Sequence, residues 1–138
     1  MLAWVRRLAL LGIAVIVAAS AAVAAGEAAR SGPLTGTWSG SIVGNPGSGI
    51  KPFDIRIVVN ADETAGSWRI SATCRGSLTL QSISNGYHHY LRKLAQGAPC
   101  AGGDIDCLKR VGANLYDSVT SHRGGEYDSA GTLHRVKT

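Results

Sequence analysis

Short blocks in which apolar and polar side chains alternate with a period of two restrict this chain more than any other feature it carries. Phe53, Ile55 and Ile57 alternate with Asp54 and Arg56, and Val59 extends the series. Only an extended strand places four such side chains on one face. After the turn-forming residues Asp62 to Gly66, the residues Trp68, Ile70 and Ala72 repeat the pattern against Arg69 and Ser71. Leu78 and Leu80 do the same against Thr79 and Gln81, while Ile83 falls out of step and predicts a bulge or a strand end. Asn85-Gly86 is the pair favoured by a type I′ turn, so residues 77–84 and 87–94 are expected to form a hairpin. Further strands are expected over 36–43, 104–111, 115–121 and 129–136.

About eight strands joined mainly by tight turns, with no amphipathic helix between them, predict an all-β fold. The expected architecture is a small antiparallel meander barrel of about eight strands, with a sandwich as the alternative. Closure is preferred because it removes the unpaired edges through which strand-rich proteins aggregate.

The N-terminal region obeys different rules. Arg6 and Arg7 precede the apolar run Leu8 to Val17, and Ala22-Val23-Ala24 supplies the small residues of a cleavage site. This pattern predicts a signal peptide over residues 1–25, a linker over 26–35 and the barrel domain over 36–138. The expected location is secreted or periplasmic. An uncleaved anchor is the alternative, and the membrane is a partner only in that case.

Of the 14 basic residues, the twelve beyond Arg6 and Arg7 face 9 acidic ones. They occur in ones and twos with acids such as Asp54 and Asp106 between them, which predicts a mixed solvated surface and no nucleic-acid partner. Weak attraction to anionic envelope polymers is the remaining electrostatic expectation.

Export places Cys74, Cys100 and Cys107 in an oxidising compartment, where three single pairings are open. Cys74 and Cys100 stand at strand ends or loops beside glycine, whereas Cys107 alternates with Asp106 and Leu108 inside a strand. The expected disulfide is Cys74 with Cys100, leaving Cys107 as a buried thiol. No metal site is expected: cysteine separations of 26 and 7 and the dipeptide His88-His89 do not put two ligands on one face.

Catalytic patterns are equally sparse. There is no G-x-S-x-G elbow, and Gly44 to Gly49 runs into Ile50-Lys51-Pro52 rather than a phosphate-binding Lys-Ser/Thr. His88 and His89 fall on opposite strand faces, so at most one enters a cavity. Asp104 and Asp106 share a face, but beside a Gly-rich loop they are expected to be solvated. No catalytic residue and no cofactor are assigned, and the ligand-binding residues stay unassigned.

Two resemblances follow from local motifs. Gly36-Thr37-Trp38 with Arg135 near the last strand is similar to the calycin-like pattern of lipocalins and avidin-type barrels. That likeness implies a tryptophan plugging one barrel end with a cation packed across it, so Trp38 and Arg135 are expected as structural residues. The later paired tryptophans of the avidin biotin site are missing, and biotin binding is not implied. Over Gly36 to Arg135, the order GTWSG, Cys74-x-Gly76-x-Leu78-x-Leu80, Cys100-x-Gly102-Gly103 and Gly131 to Arg135 resembles a small secreted bacterial β domain. That domain also occurs as an extracytoplasmic module of bacterial Ser/Thr kinases. Cys107 departs from its pattern, as do Asp117 and Val119 where the domain tends to carry aromatics.

The expected function is an exported, non-enzymatic binding or interaction module of the cell envelope, with an envelope protein or polysaccharide as partner. A lipocalin-like carrier of a small apolar ligand and an envelope hydrolase are the alternatives.

Overall fold

A computed structural model of the chain describes residues 32–100, 102–120 and 128–137. The expected signal peptide, its cleavage site and the first part of the linker lie outside these residues. Eight strands follow one another: β1 (Gly36–Gly44), β2 (Phe53–Val59), β3 (Ala65–Arg69), β4 (Arg75–Ser84), β5 (Tyr87–Leu94), β6 (Ile105–Val111), β7 (Asn114–Thr120) and β8 (Ser129–Arg135). Each pairs antiparallel with the next, and β1 pairs with β8 through Trp38 opposite Arg135 and Gly44 opposite Ser129. The result is a closed barrel in simple meander order, with no helix among the described residues.

The alternation read from the sequence decides what points inward. Ile55, Ile57 and Val59 on β2 are buried, as are Trp38 and Ile42 on β1 and Leu78 on β4. Trp68, Tyr90, Leu108, Leu115 and Leu133 complete the ring of large buried side chains. Leu34, in the segment read as a linker, belongs to the same core and is 2% exposed.

Two turns show how local chemistry fixes register. Asn85 and Gly86 adopt φ of 51° and 76°, the left-handed pair that a type I′ turn requires, and they join β4 to β5. The register of that hairpin shifts between Leu80 and Ser82, the bulge that puts Ile83 out of step. The β2–β3 turn is shorter than the sequence predicts. The Asn60 N–H donates to the Ala65 carbonyl and the Glu63 N–H to the Asn60 carbonyl, so β3 begins at Ala65 and ends at Arg69. Gly66 is therefore a strand residue. A Cβ there would collide with the Val58 carbonyl, so glycine is what lets β3 lie close against β2.

Candidate functional site

The two ends of the barrel are built differently. At one end Trp38 is fully buried, and its indole N–H donates to the Leu34 carbonyl at 2.7 Å. Two guanidinium groups lie over its ring, Arg135 at 4.3 Å and Arg110 at 4.8 Å from the centroid. Gly36 leaves room for this arrangement, because a Cβ there would meet Arg135. Glu63 ties the same end together. Its carboxylate accepts from the Leu34 N–H at 2.6 Å and stands 3.4 Å from His88 Nε2, while its carbonyl accepts from the Tyr90 hydroxyl at 2.6 Å. Burial, with the charges of Glu63 and Asp62 behind it, pushes the Tyr90 phenol up to about 12, so it remains a donor at neutral pH. These contacts form a plug.

Above the plug the interior becomes polar. Arg92 on β5 is 4% exposed and grips Asp106 on β6 with Nε and Nη2, each at 2.6 Å. This parallel fork is the strongest way to pair two buried charges. The guanidinium also lies 5.0 Å from the Trp68 ring centroid. Burial works against the charge of Arg92, but the charge of Asp106 and its hydrogen bonds to the guanidinium outweigh it and raise the group further. Asp106 is thus fully buried and paired, which corrects the expectation that Asp104 and Asp106 form a solvated pair. The inner-face parity of Leu108 already placed it inside; the residue type argued otherwise.

Asp117 on β7 completes the group. It is fully buried, and neither carboxyl oxygen has a hydrogen-bond donor among the described residues. Burial foremost, then the charge of Asp106 and a hydrogen bond to it, hold its acid form well above the usual carboxylate range, against the opposing pull of Arg92. As a neutral acid, Asp117 can donate its proton to Asp106.

Among the described residues, the opposite end forms a mouth of about 210 Å³, lined by Phe53, Ile70, Arg92, Val119 and Ser129 among others. The disulfide Cys74–Cys100, with its Cα atoms 5.7 Å apart, stands on the rim. The disulfide is consistent with an extracellular or periplasmic protein.

On the outer wall, Cys107 is a free, buried thiol 3.2 Å from His89 Nδ1, and His89 Nε2 lies 2.9 Å from the Ser84 hydroxyl. The order thiol, imidazole, hydroxyl has the form of a nucleophile with its base and orienting group. Burial nevertheless raises the thiol, with only partial relief from hydrogen bonds to Thr120 and Ser118, so it is held as S–H. His88 and His89 do point to opposite sides, His88 toward Glu63 and His89 toward Cys107.

The second feature of the wall is electrostatic. Arg56 stands directly opposite Arg69, and Arg69 directly opposite Arg75, so three adjacent strands carry an arginine in one cross-strand row. All three are exposed, and none makes an ion pair with a carboxylate among the described residues. Ser39 continues the row on β1 and His134 on β8. Like charges directly opposite one another destabilise a sheet. Cations scattered in the sequence are thus gathered in space, a consequence of register that charge spacing along the chain does not reveal. Compared with known protein families, curated proteins and solved structures, the chain matches none.

Proposed function

We propose that the protein is an exported, non-enzymatic binding module of the cell envelope that engages another envelope component through its outer wall. The observation that carries this reading is the filled interior. Trp38, Trp68 and Tyr90 occupy the lumen together with the Arg92–Asp106 fork, and each tryptophan is at most 2% exposed. Among the described residues, the space that remains at the mouth, about 210 Å³, falls below the roughly 300 Å³ at which small-molecule sites begin. A lipocalin-like carrier therefore has little volume in which to carry anything, although the tryptophan-and-arginine plug supports the resemblance to lipocalin-type barrels. Secretion is supported by the apolar segment ending in Ala22-Val23-Ala24 and by the Cys74–Cys100 bridge. The likeness to the small secreted β domain found beside bacterial kinases fits the same role.

Native mass spectrometry of the exported protein tests the reading against its rival. The expected spectrum is that of the polypeptide alone, together with co-sedimentation of the protein with isolated envelope material. A retained small molecule released on unfolding would overturn the proposal in favour of a carrier. An intact mass retaining Met1 in the membrane fraction would replace the exported module with an anchored one.

A further inference from the structure

We propose that the outer wall over β2, β3 and β4 is a binding site for a linear anionic glycan carrying about one carboxylate per sugar, held by Arg56, Arg69 and Arg75. The inference rests on the binding-module reading and names the ligand and the surface. Three observations support it.

The first is the row itself. Adjacent strands lie ~4.8 Å apart, so three guanidinium groups in register present a repeated positive charge at about the length of one sugar ring. A folded domain gains nothing from setting like charges opposite one another, whereas a polyanion laid across the strands neutralises all three at once. Arginine is well matched to such a ligand, because its planar fork takes a carboxylate bidentately and it stays charged at any physiological pH.

The second is the absence of competitors. Asp54 is the nearby acid on the same face of β2, and it accepts a hydrogen bond from the Ser41 hydroxyl. Neither ion pair found among the described residues involves the row. Among the described residues the guanidinium groups are thus left to solvent or to a ligand, with Asp54 the one acid in the groove linings.

The third is shape and lining. Shallow grooves of about 480 and 470 Å³ run along the row, and both are lined by Arg56 and Arg69. Ser39, Ser67 and Ser77 add hydroxyls able to bond sugar oxygens. Lys93, opposite Ser77 on β5, extends the positive field beyond Arg75. The groove linings hold no exposed aromatic ring on which a nucleobase could stack, nor one that could anchor a protein interface. A hydrated, regularly charged, non-aromatic chain is what remains.

The test uses a fluorescently labelled galacturonate decamer and the exported protein, followed by anisotropy at low and physiological salt. The wild type is expected to bind, more weakly as salt screens the contacts, while a neutral dextran of equal length does not. R56Q/R69Q/R75Q should lose about tenfold or more in affinity, the sum of three exposed charge contacts. K51Q/K109Q/K137Q removes the same net charge from elsewhere and should stay within about twofold. R56K/R69K/R75K retains charge without the fork and should fall between, which also serves if the glutamine triple variant misfolds by circular dichroism. No binding by the wild type, equal losses in the two triple-neutral variants, or tighter binding of a thymidylate oligomer or a poly(glycerol phosphate) of equal charge would each overturn the assignment. Co-sedimentation with isolated envelope separates the two levels. If the wild type still co-sediments while ignoring the glycan, the arginine row is wrong and the module stands; if it does neither, the module falls as well.

Discussion

Replacing Asp117 by Asn should stabilise the protein, and by an amount that grows with pH. In the fold Asp117 is fully buried beside Asp106, and burial keeps its proton in place well above the usual range. In the unfolded chain the same carboxyl loses its proton near ~3.9. Between those two values the unfolded state has released a proton that the native state still holds, so stability falls as pH rises. The slope of that loss reaches at most about 1.4 kcal/mol per pH unit for one proton. Below the window both states are protonated and the effect vanishes. Above the native value both are ionised and the full penalty is constant. Asparagine has nearly the same volume, cannot ionise, and can still donate to Asp106 as the neutral acid does. Urea unfolding of wild type and Asp117→Asn at intervals from pH 5 to pH 8 measures the difference directly, with equal m-values as the check that both unfold in the same way. The variant should gain on the wild type with each step. A gap that stays constant across this range, or an Asn variant uniformly less stable, would show that Asp117 is ionised in the fold and that Arg92 holds both carboxylates charged.

Other outcomes follow from the same structure. Trp38→Ala should lose ~3–5 kcal/mol and Arg135→Ala only ~0.5–1, and a double-mutant cycle in urea should show coupling rather than additivity. Residual cation contact from Arg110 should keep part of the interaction in the Arg135 variant. Cys74→Ser/Cys100→Ser reopens a loop of 26 residues and should lower stability by roughly 3.5 kcal/mol in denaturant titration, if loop closure dominates. Cys107 should alkylate slowly with iodoacetamide at pH 7 and rapidly once urea is added, since burial raises the thiol. Rapid labelling of the native protein would mean that His89 activates it.

The parts of the fold that follow from one residue's neighbours were legible, and the parts that follow from register were not. Phe53 to Val59 announced both a strand and its inner face, and Asn85-Gly86 announced a turn, because periodicity and φ preference are local properties. The seam at Trp38 and Arg135 was accessible through a short motif likeness. Asp106 and Asp117 share inner-face parity with Leu108 and Leu115, but a carboxylate argues for solvent unless its partner, here Arg92 on another strand, is known. The arginine row needed two registers at once. The lengths of the turns after β2 and β3 decide whether Arg56, Arg69 and Arg75 line up, and the start of β3 at Ala65 rather than near Trp68 is a detail that alternation alone places wrongly.

The seam between the first and last strands also fixes how this barrel can be wired. The Val136 N–H donates to the Thr37 carbonyl at 2.9 Å, so the chain enters and leaves the barrel at adjacent points, beside the plug and away from the mouth. A few residues of linker would bridge those points, and the Asn45–Gly49 loop, where Gly47 and Gly49 have open space around them, could then be cut to make new termini. Such a permuted chain keeps every strand pair intact while changing which ones close first during folding. The same wiring means that a neighbouring domain fused on either side would hang from the plug, leaving the arginine-bearing wall turned outward like the face of a tethered tag.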